Sequence, residues 1–169
     1  MRTEPPTPPR NYLTDDGQLL GAAGTYFVMS ELSSRGLHAS CTFGNAPHVD
    51  ILVSSPDGAR SVAIQVKTTA WAKRFTGKKK DGKKLTQFQW YLGEKAARAN
   101  LKNLYIVFVD FDKWSDSPTT DCYIVPSAFI HDHCKPWVDT AKMFRFHISP
   151  ESIAPFRGAW HLLQNAVKK

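Results

Sequence analysis

The chain has 169 residues, 42% of them hydrophobic and 22% charged, which fits one globular domain and excludes a disordered tail or a fibrous repeat. No apolar run approaches the roughly 20 residues that span a bilayer, and the N-terminus does not resemble a signal peptide. Three cysteines fit a reducing compartment better than a disulfide framework, so we expect a cytoplasmic protein. The 22 Lys and Arg residues against 15 Asp and Glu residues give a net charge of +7, so we expect a polyanionic partner, with nucleic acid favoured over a membrane surface.

Proline content and charge divide the chain into an arm and a domain. Residues 1–13 contain four prolines and predict an extended N-terminal arm. Residues 14–169 predict a single domain, in which residues 71–85 form a basic insertion loop.

The first element of the domain is a predicted helix. Asp15 and Gln18 have the spacing of a capping box, and the apolar pattern that follows ends at Gly36. Gly21 and Gly24 lower the helix propensity, which indicates that another element packs closely against this helix.

The rest of the domain alternates between strands and helices. The Pro56-Asp57-Gly58 turn predicts that the second and third strands form an antiparallel hairpin. The order of elements predicts an α/β fold, more closely an α+β sandwich in which helices flank a mixed central sheet. Strands are predicted at residues 37–43, 49–54, 61–68, 104–111, 121–125 and 143–148, and helices at 86–100, 127–133 and after Pro155.

Three polar residues on the predicted hairpin form the candidate site. Asp50 interrupts the apolar run Val49 to Val53, where a carboxylate needs a partner or a cation. Period-two alternation places Gln65 and Lys67 on one face of the next strand, next to Asp50 if the two strands pair. A carboxylate and an amide oxygen suit Mg²⁺ or Mn²⁺, while Lys67 can orient a water or stabilise charge on a phosphate. The alternative is an ordinary half-exposed strand.

These segments resemble the PD-(D/E)XK nuclease superfamily, the group of restriction-endonuclease-like and Holliday-junction-resolvase-like enzymes. The resemblance implies an α-β-β-β-α-β core and metal-dependent hydrolysis of DNA phosphodiester bonds. It makes Asp50 the metal-binding acid, Gln65 the second metal position and Lys67 the catalytic lysine. It is carried by Gly24-Thr25-Tyr26-Phe27, Val49-Asp50-Ile51-Leu52-Val53 and Ile64-Gln65-Val66-Lys67-Thr68, and, for a small bacterial subgroup, by Trp90-Tyr91-Leu92, Tyr123-Ile124-Val125-Pro126-Ser127 and His133 with Trp137.

Two positions depart from the family pattern. The second metal position is usually Asp or Glu but is Gln65 here, and the first helix usually carries Glu where Thr25 stands. Glu31 is no direct substitute, because it lies about 120° around the helix from Thr25. These departures favour an alternative, a weak or inactive nuclease-fold module that binds nucleic acid. A protein-interaction role, of the inhibitor or immunity type, is a further alternative.

Three other residues are possible accessories to the site. Glu31 is on the first helix, and His48 lies two residues before Asp50, where it could act as a general base. Gln87 and Tyr91 have the Gln-x-x-x-Tyr spacing of the RecB-like nucleases on the predicted second helix. Cutting both strands of a duplex would favour a homodimer.

The basic insertion carries most of the net charge. Residues 72–84 contain seven Lys or Arg residues and one Asp, so they account for six of the seven net positive charges. A solvated loop is the alternative to a nucleic-acid contact. For a contact with the DNA backbone and its bases, the candidate residues are Trp71, Lys73, Arg74, Phe75, Lys78, Lys79, Lys80, Lys83 and Lys84.

Overall fold

The structure is a computed structural model that describes residues 13–42, 49–76, 82–113, 119–140 and 144–168. His48 and Lys78, Lys79 and Lys80 of the basic insertion lie outside the described residues. The helices are α1 (Gly17–Ser34), α2 (Glu94–Arg98), α3 (Ser127–Cys134), α4 (Pro150–Ile153) and α5 (His161–Lys168), with a 3₁₀ turn at Ala154–Phe156. The strands are β1 (His38–Cys41), β2 (Ile51–Ser54), β3 (Ser61–Thr69), β4 (Lys73–Thr76), β5 (Lys84–Tyr91), β6 (Leu104–Asp110), β7 (Asp121–Pro126) and β8 (Arg145–Ile148).

The strands form two sheets. The larger has the order β1-β2-β3-β6-β7, in which only β3 and β6 run parallel, so the predicted mixed central sheet is confirmed. The predicted hairpin is also confirmed, because β2 and β3 pair antiparallel across the Pro56–Gly58 turn. The smaller sheet has the order β4-β5-β8 and is antiparallel throughout.

Each face of the five-stranded sheet buries a separate core. On one face, α1 and α5 pack their apolar residues against Ile64 and Val66 of β3. On the other, the small sheet packs with α2, α3 and α4 against Ile106 and Phe108 of β6. Aromatic rings join the two sheets: Trp90 lies 5.0 Å from Phe108 between ring centroids. The molecule is therefore a sandwich of helices, mixed sheet and second sheet.

The first helix is confirmed, but its cap is not the predicted one. Asp16 rather than Asp15 is the N-cap, and its carboxylate accepts hydrogen bonds from the backbone N–H groups of Gln18 and Leu19. Asp15 instead pairs with Lys113, with 2.7 Å between the charged atoms. Capping depends on which carboxylate reaches the first turn, and two adjacent aspartates leave that choice open in the sequence.

The predicted helix at residues 86–100 is wrong over its first half. Residues 84–91 form β5, and only Glu94–Arg98 are helical. Phe88 and Trp90 are buried while Gln87 and Gln89 alternate with them, which is the period of a strand. Gly93, with φ of +83°, separates the two elements.

The basic insertion is not a simple loop. Lys73–Thr76 and the first part of β5 form an antiparallel hairpin, with a bulge between Arg74 and Phe75.

Among the described residues, no helix is long and apolar enough to cross a bilayer.

The contact between α1 and β3 explains Gly24. A Cβ at position 24 would lie 1.9 Å from Oγ1 of Thr68, whereas a Cβ at Gly21 would meet no atom within 4 Å. Close packing is therefore confirmed at Gly24 and absent at Gly21 within the described structure.

We expect Gly24→Ala to lower the free energy of unfolding by about 1–3 kcal/mol, because the methyl group must push α1 away from Thr68. Gly21→Ala is the matched control and should raise it by up to about 1 kcal/mol, because Ala favours the helix and meets no clash. Denaturant unfolding monitored by circular dichroism measures both. Equal stabilisation by the two variants would contradict this account of the helix contact.

Candidate active site

Asp50 is fixed where β2 and β3 separate. The strand pairing ends at Ile51 and Ile64, and the Asp50 N–H donates to the Ile64 carbonyl over 2.8 Å. Beyond this point a side chain rather than the β2 backbone accepts the next hydrogen bond from β3. Oδ2 of Asp50 accepts a 2.7 Å hydrogen bond from the N–H of Val66. The carboxylate is thereby held against β3 between the positions of Gln65 and Lys67.

Gln65 presents an oxygen with no partner. Its Oε1 atom is buried and accepts no hydrogen bond within the described structure. A buried amide oxygen without a donor costs about 1–3 kcal/mol. Gln65 therefore has an acceptor oxygen that suits a hydrogen-bond donor or a cation.

Lys67 lies two residues further along the same face of β3 and is half-buried. Burial lowers the pKa of its ammonium, and the negative charge of Asp50 partly opposes this effect. The Asp50 carboxylate therefore lies close enough to act on the charge of Lys67.

The oxygen atoms of this site fit a small divalent cation. A carboxylate and an amide oxygen are ligand types that Mg²⁺ accepts, with water in its remaining positions. No cluster of three or more His, Cys, Asp or Glu side chains forms among the residues the structure describes. Asp50 is the carboxylate that the hydrogen bond to the Val66 N–H holds at this point of β3.

The described accessory residues, Glu31 and Gln87, make contacts of their own, and His48 lies outside the described residues. Glu31 forms an ion pair with Arg35 at 2.9 Å and borders a pocket with Trp160, whose neighbours pack on the α1 face of the sheet. The hydroxyl of Thr25 donates to the Gly21 carbonyl within α1. Gln87 lies on β5 opposite Arg74 rather than on a helix.

The start of the basic hairpin is held by internal contacts. Lys73 forms an ion pair with Asp112 at 2.8 Å, and its ammonium lies 5.5 Å from the centre of the Trp71 ring. Trp71 in turn stacks on Phe75, with 6.2 Å between ring centroids. The charge of Lys73 is therefore balanced within the fold.

The other described cations of the hairpin are more open. Arg74 donates from Nε to Oε1 of Gln89 over 2.9 Å and from Nη1 to two backbone carbonyls. Lys83 and Lys84 are exposed at the other end of the hairpin.

Sequence reasoning missed a buried acidic residue beside the hairpin. Asp110 is completely buried, and its Oδ1 accepts hydrogen bonds from the N–H groups of Ala72 and Asp112. Its Oδ2 has no hydrogen bond within the described residues, and burial raises the pKa of the carboxyl to about 6. Asp110 therefore ties the root of β4 to the end of β6. Its signal in the sequence is a carboxylate that closes the apolar run of β6.

Comparisons with known proteins find a similar fold among solved structures. No protein-family model matches the chain, and no curated protein matches it. Among solved structures, it is similar to the bacterial homing endonuclease I-Ssp6803I, with a TM-score of 0.57 and 13% identity, over 92% of this chain and 96% of that one. The chain has a nuclease-like fold. At this identity the similarity concerns the fold alone.

We expect Asp50→Asn to lower the pKa of Lys67 further, because the substitution removes the negative charge that stabilises the ammonium. The pKa can be measured by NMR of the lysine Nζ and Cε resonances. Asp132→Asn, at an exposed position on α3, should leave the Lys67 value unchanged. A Lys67 pKa that is the same in wild type and Asp50→Asn would contradict the coupling.

Asp110 should make the stability depend on pH. Its native pKa of about 6 lies above the ordinary aspartate value of 3.8, so the native state holds the proton more tightly than the unfolded chain. This contribution is present below pH of about 4 and is lost as the pH rises through about 6, by up to about 3 kcal/mol. Asp110→Asn cannot ionise, so it does not lose this contribution. The unfolding free energy of the variant should therefore rise relative to that of wild type as the pH increases over this range. Unfolding curves that stay parallel from pH 4 to pH 7 would contradict this prediction.

Proposed function

We propose that this protein is a metal-dependent endonuclease that hydrolyses phosphodiester bonds of DNA. The observation that carries the proposal is the Asp50 carboxylate, held by the Val66 N–H at 2.7 Å between Gln65 and Lys67. A carboxylate, an unpartnered amide oxygen and a lysine on one hairpin form a compact set for phosphoryl chemistry.

In this proposal Asp50 and Gln65 hold Mg²⁺ or Mn²⁺. The bound ion would supply Lewis acidity and a water activated for attack on phosphorus. The Val66 hydrogen bond keeps one oxygen of Asp50 oriented, so little entropy is lost when the site is used. Lys67 assists the attack by orienting the water and stabilising charge on the phosphate oxygens, an effect that partial burial strengthens.

The basic hairpin supplies the grip on the DNA backbone. It leaves directly from β3, which carries Gln65 and Lys67, so a phosphate held by the hairpin would be near the site. Arg74, Lys83 and Lys84, with Lys78–Lys80 between them in sequence, provide the charge. The stacked pair Trp71 and Phe75 offers an aromatic surface for a base or sugar.

Membership of the PD-(D/E)XK superfamily is part of the proposal. It is supported by the Asp50, Gln65 and Lys67 motif and by a fold similar to that of a homing endonuclease. A homodimer that presents one site to each strand also belongs to it.

One observation favours a second candidate, a nuclease-fold module that binds DNA but cuts it weakly. Gln65 stands where a second carboxylate is usual, and Thr25 bonds within its own helix rather than facing the site. A neutral amide attracts a divalent ion less than a carboxylate does. This module would bind DNA equally well with and without a chelator.

The test is cleavage of plasmid, linear, branched and single-stranded DNA with Mg²⁺ or Mn²⁺. We expect Asp50→Asn and Lys67→Met each to lower the rate at least 100-fold, because the first weakens the hold on the divalent ion and the second removes positive charge beside the phosphate. Asp132→Asn and Lys102→Gln change the same charges at exposed positions and should cut like wild type. Undiminished cutting by Asp50→Asn would reject the assignment, and binding without any cutting would establish the second candidate.

A further inference from the structure

The outer face of the small sheet carries a set of polar side chains that the candidate site does not use. In β5, Phe88 and Trp90 point into the core and pair with Ile148 and Phe146 of β8. Cross-strand partners share a face, so the residues that alternate with these point outward. By register, the outward residues are Arg74, Gln87, Gln89, Tyr91, Arg145 and His147.

This outer face is positively charged and has no acidic residue of its own. The strands β4, β5 and β8 contain no Asp or Glu and four Lys or Arg. Lys73 is neutralised by Asp112, whereas Arg74 and Arg145 point outward, on either side of His147. Burial lowers the pKa of His147, and the charges of Arg145 and Arg74 lower it further, as expected for a ring that lies between two cations.

The neutral residues of the face are also suited to nucleic acid. Gln87 offers an amide donor and acceptor, Gln89 offers its amide N–H groups while its Oε1 accepts from Nε of Arg74, and Tyr91 has 64% of its surface exposed. The buried Phe88 and Trp90 fix the backbone between them, since Trp90 also donates from its ring nitrogen to the Val109 carbonyl. The backbone positions of Gln87 and Gln89 are therefore defined, about 7 Å apart along the strand.

We propose that the outer face of the small sheet is a second contact surface for duplex DNA, with arginines on phosphates or guanine edges and glutamines on adenine edges. The inference rests on the proposed function for the identity of the partner. Gln87 to Tyr91 spans about 14 Å, or about four base-pair steps, and β4 to β8 spans about 10 Å, comparable to the roughly 12 Å major groove.

Position supports the same partner. Gln65 and Lys67 alternate with β3 residues that pack on α1 and α5, so they face the side of the large sheet on which the small sheet lies. The candidate site, the basic hairpin and the outer face are therefore all on one side of the large sheet. A solvated sheet face would be expected to mix charges of both signs, and this one does not.

The experiment is a fluorescence anisotropy titration of the full chain against a mixed-sequence DNA duplex in EDTA, repeated over a series of salt concentrations. Chelation prevents cutting, so binding is measured independently of the proposed chemistry. We expect Arg145→Gln to weaken binding several-fold and to reduce the slope of log K against log salt by about 0.9, the value for one lost phosphate contact.

Lys102→Gln is the matched control, because it removes one charge beside α5, on the opposite side of the sheet. It should leave both affinity and slope unchanged. Lys78, Lys79 and Lys80 replaced together by Gln serve as the reference for the lysine run of the basic insertion, and Gln87→Ala should lower affinity or sequence preference without changing the slope.

The outcomes separate this inference from the proposed function. If the triple lysine variant weakens binding while Arg145→Gln behaves like Lys102→Gln, the outer-face contact is wrong and the nuclease proposal stands. If wild type binds no duplex at all, the outer-face contact is wrong, and cleavage of branched and single-stranded DNA with Mg²⁺ or Mn²⁺ decides the nuclease proposal separately. Equal binding of an RNA duplex would overturn the base-edge role of the glutamines, because side chains cannot read the narrow A-form major groove.

Discussion

The candidate site depends on one hydrogen bond across the β2–β3 hairpin, from the Val66 N–H to Oδ2 of Asp50. Backbone pairing ends one residue earlier, at Ile51 and Ile64, so Val66 would otherwise lose its acceptor on the β2 side. The carboxylate thus completes the sheet and also gains a fixed position on β3. A shift of register by one residue would move Asp50 away from Gln65 and Lys67 and expose Ile51 and Val53. The apolar face of the hairpin therefore enforces the geometry of the polar one.

Buried side chains also fix the place where the basic hairpin joins the domain. The cations of the hairpin repel one another, so its base must be held by other contacts. Asp110 accepts the N–H of Ala72, Asp112 neutralises Lys73, and Trp90 anchors the next strand in the aromatic layer between the sheets. Buried groups at the base fix the direction of the hairpin and leave its outward cations available to a partner.

Local patterns were sufficient where they had one interpretation. The Pro56–Gly58 turn and the strands beside it determined the hairpin, and with it the meeting of Asp50 and Lys67. The helix predicted at residues 86–100 was wrong over its first half because Phe88 and Trp90 fit both a helical stripe and a strand alternation. Packing against Phe108 favours the strand. The role of Asp110 was not visible, since its two hydrogen-bond donors come from residues 38 and 2 positions away that only the fold brings together.

Under the proposed function, Gln65 changes the electrostatics of the site rather than only weakening it. A divalent ion held by one carboxylate keeps a net positive charge, to which Lys67 adds a second cationic group. Such a site binds the ion weakly alone but attracts a phosphodiester strongly, and each ligand then stabilises the other by the same free energy. The cations of the hairpin act in the same direction, because a phosphate that they hold supplies the anionic oxygen that the site lacks. The positive charge concentrated beside β3 would thus compensate for the missing carboxylate, because it recruits the phosphate that takes the place of that ligand.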